Sequence, residues 1–308
     1  MPLHVPPSGL SRREFLVRGS AAVAGLAVLR TSLAAPGSGG DPNRIALLSD
    51  THIPETPEVV AREVNMTANL QKVVAQLVGE KTKPANVLVN GDCAYLKGQA
   101  ADYANFAESV RPLSEAGYRL HLTMGNHDNR ETLYGQLAAQ RPMDPPVASR
   151  HVSILECPHA NWFLLDSLTV TNVVTGQIGD EQRRWLAAAL DERKDKPAIV
   201  IAHHTPQFEP PPEGQKWGGI EDTAALFELL LPRKHVKAFV FGHSHNWAVA
   251  KKEDLHLVNL PPVAYVFAAG KPNGWVDAAM RPDGIDLTLH TLDPAHPQSG
   301  EKVALAWR

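Results

Sequence analysis

Five short apolar runs, each followed at once by polar residues, constrain this sequence more than any other feature. The runs are strand-length and rich in aliphatic and β-branched residues: Ile45–Leu48, Val87–Val89, Leu120–Met124, Ala198–Ala202 and Val236–Phe241. Amphipathic segments predict helices between them, over Glu58–Val78, Asp102–Ala116, Asp180–Glu192 and Asp222–Leu231, with Asp180 as a helix cap. Strands that alternate with helices indicate an α/β fold in one domain.

The C-terminal part follows a different pattern. Trp275–Met280 and Ile285–Leu292 flank the segment 281–284, Arg-Pro-Asp-Gly, which is typical of a hairpin turn. Lys302–Trp307 can add a last strand. We therefore expect residues 255–308 to form antiparallel structure that completes a second sheet.

The N-terminal residues 1–34 resemble a twin-arginine signal peptide. Arg12 and Arg13 precede a short apolar run, which is far from the roughly 20 residues that span a bilayer, and a small-residue cleavage site follows at 32–34. We expect the twin-arginine export machinery to carry the chain to the periplasm or the cell exterior; an uncleaved amphipathic anchor is the alternative. Residues 35–44 would then be a linker and residues 45–308 the folded domain.

Charge and cysteine content narrow the range of partners. Without residues 1–34 the chain has 26 basic and 32 acidic residues, a formal charge of about −6. Such a surface has no general attraction for nucleic acid, so we expect a small-molecule partner and no specific nucleic-acid binding.

Cys93 and Cys157 are the only cysteines, which excludes a disulfide framework. They could form one bridge, but we favour a Cys93 that packs beneath its neighbours.

The polar clusters after the five runs contain residue types that bind metals. They are Asp50-Thr51-His52, Gly91-Asp92, Gly125-Asn126-His127-Asp128, His203-His204-Thr205-Pro206 and Gly242-His243-Ser244-His245. Because loops at the carboxyl ends of strands converge in open α/β sheets, we expect these side chains to meet. Their oxygen and nitrogen donors suit Fe, Mn or Zn better than Ca. Extended backbone through Asp50–His52 and His243–His245 would turn the paired side chains to one side.

The order of these clusters, DxH, GD, GNHD, H and GHxH, resembles that of the calcineurin-like metallophosphoesterases. This superfamily includes purple acid phosphatases and class III cyclic-nucleotide phosphodiesterases. The motifs span residues 45–245. The resemblance implies a four-layer α/β/β/α sandwich of two mixed β-sheets flanked by helices. It also implies the hydrolysis of phosphate esters with two divalent or trivalent metal ions, Fe, Mn or Zn.

The resemblance assigns the metal ligands residue by residue. One metal would take Asp50, His52 and His245, the other Asn126, His243 and one of the pair His203 and His204, with Asp92 as the bridge. The position at the end of the fourth run favours His203, whereas the spacing to Pro206 could favour His204.

The resemblance also implies a mechanism. A hydroxide held between the metals would attack phosphorus, and His127 would protonate the leaving alkoxide. Asp128 would hold the tautomer of His127 and raise its pKa. Arg130 could contact a phosphate oxygen, and a solvated arginine is the alternative.

Several residues indicate which branch the chain resembles. Tyr95 stands where purple acid phosphatases have a tyrosine ligand, but those enzymes lack the histidine found here at His52. We therefore expect Tyr95 to pack near the metals, and we favour a phosphodiester substrate. The segment Leu165–Leu168, ahead of Gln182 and Trp185, also resembles the cyclic-nucleotide branch.

Other points stay open at this stage. Trp217, in the loop after His204, would either wall the substrate pocket or lie on the surface. A phosphomonoesterase using the same site, and a metal-free binding module of the same fold, are the alternative functions. The sequence leaves the natural substrate and the oligomeric state open.

Overall fold

The structure is a computed structural model that describes residues 39–307, so the predicted signal peptide lies outside the described residues. In chain order the strands are β1 Asp41–Ser49, β2 Val60–Ala61, β3 Val64–Asn65, β4 Pro84–Asn90, β5 Arg119–Thr123, β6 Ser153–Glu156, β7 Asn161–Leu164, β8 Ala198–Ile201, β9 Val236–Phe241, β10 Ala248–Lys252, β11 Leu255–Asn259, β12 Gly274–Arg281, β13 Gly284–Thr291 and β14 Lys302–Ala306. The helices are α1 Met66–Gly79, α2 Ala100–Glu115, α3 Arg130–Gln136, α4 Asp180–Glu192 and α5 Thr223–Leu230.

Twelve of these strands form two mixed sheets. The first sheet has the order β14-β13-β12-β1-β4-β5, in which β1, β4 and β5 are parallel and β12 joins β1 antiparallel. The second has the order β10-β11-β9-β8-β7-β6, in which only the edge strands β10 and β6 are antiparallel to their neighbours. Strands β2 and β3 form a separate hairpin.

Three apolar clusters correspond to the three interfaces of a four-layer sandwich. Along β1, Leu47 faces the cluster between the two sheets, which contains the fully buried Trp162, whereas Leu48 faces the cluster under α1 and α2. The third cluster joins α4 and α5 to the second sheet. Strands covered on both faces read as continuous apolar runs, which is why the five runs were visible in the sequence. The predicted sandwich of two mixed sheets flanked by helices is confirmed.

Two predicted boundaries were wrong. The helix predicted from Glu58 begins only at Met66, because residues 60–65 form the β2–β3 hairpin and the Asn65 side chain caps the helix by accepting a hydrogen bond from Ala68 N (2.8 Å). Strand β1 begins at Asp41, so residues 41–44, predicted as linker, belong to the first sheet; Asp41 N donates to Lys83 O at 2.7 Å.

Two further expectations differ from the structure in their long-range contacts. The C-terminal hairpin and last strand are present, but β12–β14 extend the first sheet, and of the strands in residues 255–308 only β11 belongs to the second. Helix α4 is capped by Gly179 instead of Asp180, because the Asp222 carboxylate accepts hydrogen bonds from Ile178 N and Gly179 N at 2.9 and 2.8 Å.

The two cysteines do not form a bridge. Both thiols are free and buried, and they lie in different apolar clusters, Cys93 beneath the helices and Cys157 between the sheets. Among residues 39–307, no helix is both long and apolar enough to cross a membrane.

Candidate metal centre

The polar clusters converge from the carboxyl ends of five strands that belong to both sheets. Asp50, Asp92 and Asn126 follow β1, β4 and β5 of the first sheet. His203 follows β8, and the pair His243 and His245 follows β9, both in the second sheet. Most of these side chains are fully buried, and His243 is half-buried. The candidate site therefore lies where the ends of the two sheets meet.

The residues form three groups, and within each group the donor atoms lie within 4.8 Å of one another. They are Asp50 with His52 and His245, His52 with Asp92 and His127, and Asp92 with His203 and His243. Asp92 Oδ2 lies 3.6 Å from His52 Nε2 and 3.4 Å from His203 Nε2. The Asp92 carboxylate is therefore placed between two sets of donors, as a bridging ligand would be.

Backbone carbonyls fix the tautomer of each of the four candidate histidine ligands. Nδ1 of His52, His203 and His245 donates to the carbonyls of residues 95, 90 and 265 at 3.3, 2.8 and 2.5 Å, which leaves Nε2 as the lone-pair nitrogen. His243 is turned the other way: its Nε2 donates to Gly218 O at 2.9 Å, which leaves Nδ1. An imidazole binds a metal through its lone-pair nitrogen, so all four rings are oriented as ligands.

The donor atoms of the site are arranged to bind cations and not to hydrogen-bond one another. Asp50 Oδ1, Asn126 Oδ1 and His203 Nε2 are buried and have no hydrogen-bond partner among the described residues. His52 Nε2 and His245 Nε2, each left as a lone pair by the bond that its other nitrogen donates, lie 3.0 Å apart. Burying unpaired polar atoms is costly, and a cation among them removes that cost. The residues present therefore fit a metal centre.

The charges of the site keep its carboxylates ionised. Burial disfavours ionisation of Asp50, but His245 and His203 outweigh it and hold the Asp50 pKa below its usual range. Asp92 behaves in the same way, with His203 as the largest opposing influence on its pKa. Burial lowers the pKa of His52 and of His243 to about 4, so both rings are neutral near pH 7. Although burial opposes it, Asp92 and Asp50 raise the pKa of His203 to about 10, so without a metal this ring carries a second proton that a bound metal would displace. Ionised carboxylates and neutral imidazoles are the forms that bind metals.

The backbone at these residues is not extended, contrary to our expectation. Asp50, His52, Asp92, His243 and His245 all have positive φ, between 47° and 68°. They are five of the ten non-glycine residues with positive φ in the described part of the chain. This left-handed conformation costs about 1 kcal/mol or more per residue, and such strain concentrates at functional sites. It turns backbone N–H groups toward the carboxylates: His243 N donates to Asp50 Oδ2, and His127 N donates to Asp92 Oδ1.

Gly91 shows why glycine precedes Asp92. Its φ is +70°, and a Cβ at this position would lie 2.6 Å from Gly125 N and 2.7 Å from the His203 ring. Only a residue without a side chain allows the loops after β4, β5 and β8 to approach this closely.

Comparison with known proteins agrees with this geometry. Residues 43–247, two thirds of the chain, match the family model described as calcineurin-like phosphoesterase. The chain belongs to this family. It is therefore a metallophosphoesterase.

Curated relatives and a solved structure extend the comparison. The chain is 28% identical to a 3′,5′-cyclic adenosine monophosphate phosphodiesterase, CpdA, of Pseudomonas aeruginosa, over 75% of this chain and 79% of that protein. It is 26% identical to the glycerophosphodiester phosphodiesterase GpdQ of Enterobacter lignolyticus, over 72% of this chain and 77% of that protein. A dimetal phosphatase from Danio rerio has the same fold, with a TM-score of 0.63 at 14% identity, over 86% of this chain and 99% of that one.

The role expected of Asp128 in this metallophosphoesterase was wrong. Its carboxylate does not contact the His127 ring; it accepts hydrogen bonds from the backbone N–H groups of Cys93, Ala94 and Gly125 and from the Tyr103 hydroxyl. Instead, His127 Nδ1 donates to Leu96 O at 2.8 Å, which leaves Nε2 of this half-buried ring for a ligand. Asp128 therefore holds the loops after β4 and β5 together and does not orient the His127 ring.

Arg130 is engaged away from the phosphate position that we considered for it. Its Nε and Nη2 bind the two oxygens of the buried Asp166 carboxylate at 2.6 and 2.8 Å, and Nη2 also donates to Leu168 O. The Gln182 side chain in turn bonds both the N–H and the carbonyl of Asp166. The segment Leu165–Leu168 is thus a buried brace between α3 and α4.

The structure separates the remaining candidates. His203 belongs to a donor group, whereas His204 belongs to none of the three groups, and its Nδ1 is paired with Ser167 Oγ at 2.7 Å. Tyr95 is half-buried and touches the site through its carbonyl, which accepts from His52. Trp217 is half-buried in the loop whose next residue, Gly218, accepts from His243. That loop therefore borders the metal centre.

Sequence reasoning missed two aromatic residues beside the metal centre. Tyr265 accepts a hydrogen bond from His245 through its carbonyl and stacks on His52, with ring centroids 5.2 Å apart. Phe267 stacks on His245 at 4.1 Å. Both lie in the loop after β11, which carries no metal-binding residue type, so no sequence signal marked them.

Proposed function

We propose that this metallophosphoesterase hydrolyses small phosphodiesters with two divalent or trivalent metal ions, Fe, Mn or Zn. The proposed ligands are Asp50, His52, Asp92, Asn126, His203, His243 and His245. The observation that carries this proposal is the set of buried, unpartnered donor atoms on both sides of the Asp92 carboxylate.

The chain's own residues would divide the work as follows. When bound, two such ions lower the pKa of water and neutralise phosphoryl oxygens. Asp92, between the two donor sets, would hold the ions close together. His127, with its Nδ1–H held by Leu96 O, would in its imidazolium form donate the Nε2 proton to the departing ester oxygen.

A diester is favoured over a monoester for two reasons. A monoester carries one more negative charge, and Arg130, a cation near the Asn126 motif, is already neutralised by Asp166 and cannot bind it. The curated relatives reported above are named as phosphodiesterases of a cyclic nucleotide and of glycerophosphodiesters. We propose the phosphodiester class in general, with a phosphomonoesterase using the same site as the second candidate.

The test compares bis-(p-nitrophenyl) phosphate with p-nitrophenyl phosphate on Mn-loaded protein at pH 7. We expect a several-fold higher kcat/KM for the diester. Asp92→Asn should lose metal and nearly all turnover, whereas Asp191→Asn, a surface change at the ion pair with Arg233, should keep both. A clear preference for the monoester would establish the second candidate. Protein that binds no metal and cleaves neither ester would be a binding module.

We also propose that residues 1–34 direct export through the twin-arginine route, on the strength of Arg12 and Arg13 ahead of the short apolar run. The test is fractionation of cells that express the full chain with Arg12 and Arg13 both changed to lysine. Retention of the variant in the cytoplasm, with the parent chain exported, supports the proposal. Equal export of the two chains contradicts it.

A further inference from the structure

An exposed aromatic ring lies directly on the metal centre. Phe267 is 57% exposed. Its ring stacks on His245 with a centroid distance of 4.1 Å and an interplanar angle of 20°. The exposed part of Phe267 therefore lies directly beside the candidate ligand His245.

A guanidinium group is held beside this ring. Arg62 Cζ lies 5.3 Å from the Phe267 centroid and 5.2 Å from the Tyr265 centroid. Among residues 39–307, Arg62 has no carboxylate within ion-pair distance, so its charge is available to a ligand. Tyr265 below it is only 8% exposed, and its ring is stacked on His52, so this side of the cluster is fixed.

The backbone that carries Arg62 is strained. Arg62 and Glu63 form the two-residue turn between β2 and β3, with φ of 50° and 64°. Turns of this kind favour Asn and Gly, because other residues adopt positive φ at a cost. An arginine at this position is better explained by a contact that its side chain makes than by the turn itself.

We propose that Phe267 and Arg62 form a subsite for a planar group on the retained side of the ester, such as a nucleobase. This proposal rests on the proposed phosphodiesterase function, since the group belongs to the ester that the metals would bind. A flat ring can stack on the exposed part of Phe267, and the guanidinium can pack against it as it packs against the two aromatic rings. An alkyl group offers neither contact, so the subsite selects esters that carry a planar group.

The test varies the retained group of the ester and keeps the leaving group constant. Thymidine 5′-(p-nitrophenyl) phosphate is compared with methyl p-nitrophenyl phosphate on the metal-loaded protein. For Phe267→Ala we expect KM of the thymidine ester to rise about tenfold with kcat changed less than threefold, and KM of the methyl ester to change far less. Phe267→Trp should restore the thymidine KM. Arg62→Ala should act in the same direction as Phe267→Ala.

One control variant and one contrary outcome separate this subsite from general effects. Arg111→Ala removes the same charge on the surface of α2, where Arg111 pairs with Glu108 and Glu115, and should leave both KM values unchanged. If Phe267→Ala raised the KM of both esters by the same factor, Phe267 would only support the His245 ring, and the subsite would be disproved.

A binding measurement keeps this proposal distinct from the proposed function. If the parent protein cleaved neither ester, the phosphodiesterase proposal would fail, and saturation-transfer NMR with thymidine 5′-phosphate on Zn-loaded protein would decide the subsite. Saturation of the base protons in the parent protein, with its loss in Phe267→Ala, supports the subsite. Absence of saturation in the parent, or equal saturation in both, overturns it.

Discussion

The orientation of His127 depends on a backbone carbonyl. Leu96 O accepts from Nδ1, and the His127 N–H donates to Asp92 Oδ1, so both ends of the residue are held from the loop after β4. The ring lies 5.3 Å from that of His52. A proton donor in this position would face the ester oxygen while leaving the candidate ligands undisturbed.

His127→Ala tests the acid role separately from metal binding. We expect the variant to keep its metal content and to lose about 10²-fold or more in kcat on alkyl diesters, whose alkoxide must be protonated. The loss on bis-(p-nitrophenyl) phosphate should be much smaller, because nitrophenolate leaves without a proton. Metal analysis and kcat on both substrates check this. Equal losses on the two substrates would remove the acid role.

At the scale of single residues, the sequence predicts which side chains meet but not what holds them. Asp92 and His203 were predicted as ligands because carboxylates and imidazoles that directly follow strands are residue types typical of metal sites. The backbone carbonyls of Asn90 and Leu96 orient the rings of His203 and His127, but they cannot be recognised in the sequence, because every residue has a backbone carbonyl. The partner of Arg130 was missed for a related reason: Asp166 is 36 positions away, and nothing local points to it.

Between elements, the pair of Arg130 and Asp166 joins the start of α3 to the loop after β7. Arg130→Ala would leave the buried Asp166 carboxylate with only the N–H groups of His151 and Leu168. We expect the free energy of unfolding to fall by about 2–3 kcal/mol, with KM for the diester changed less than threefold. Chemical denaturation and kinetics check this. Glu131→Gln, which breaks the exposed pair with Arg141, should cost under about 0.5 kcal/mol.

A rise in KM of tenfold or more for Arg130→Ala, at an unchanged free energy of unfolding, would contradict a structural role for the Arg130–Asp166 pair. It would instead support the contact between Arg130 and a phosphate oxygen that we considered from the sequence.

Strand β5 contains a buried histidine that links stability to pH. Burial, and to a lesser extent Arg119, lowers the pKa of His121 to about 4, and His121 Nε2 lies 3.0 Å from Asn86 Oδ1. In the unfolded chain the pKa is about 6.5, so between pH 6.5 and 4 the unfolded state binds more protons. Stability attributable to this residue is therefore present above pH 6.5 and is lost as the pH falls toward 4.

His121→Gln should reduce that pH dependence. We expect the variant to lose about 2 kcal/mol less than the parent between pH 7 and pH 4.5, measured by denaturant unfolding at each pH. An unaltered slope in His121→Gln would show that this ring does not stay neutral in the folded protein.

The elements that the sequence predicts well are those covered on both faces. Strand β9 was predicted with both its ends correct, because its short run is rich in valine and phenylalanine and is followed at once by polar residues. The start of α1 was missed because the β2–β3 hairpin uses Arg62 and Glu63 in place of the usual turn residues. Strands β12–β14 were assigned to the wrong sheet, because local pattern predicts a hairpin but not its distant partner β1.

On the scale of the whole molecule, the candidate ligands come from both sheets. Asp50, Asp92 and Asn126 follow strands of the first sheet, whereas His203 and His245 follow strands of the second. Metal ions bound here would therefore link the two sheets at one end of the sandwich. Anything that binds the folded state and not the unfolded chain adds to stability, by about 2.7 kcal/mol per site when the free ligand is at 100 times its Kd.

Chelation should consequently lower the thermal stability of the entire fold. We expect the removal of both metals to reduce Tm on the order of 10 °C, because each kcal/mol shifts Tm by about 2–4 °C in a domain of this size. Calorimetry with and without chelator, alongside metal analysis, measures the change. Asp92→Asn should already have the lower Tm and respond little to chelator, because its bridge is lost. Asp191→Asn should show the full shift, since its pair with Arg233 lies on the surface. If the metals were removed and Tm of the parent protein did not move, the ions would not be joining the two sheets.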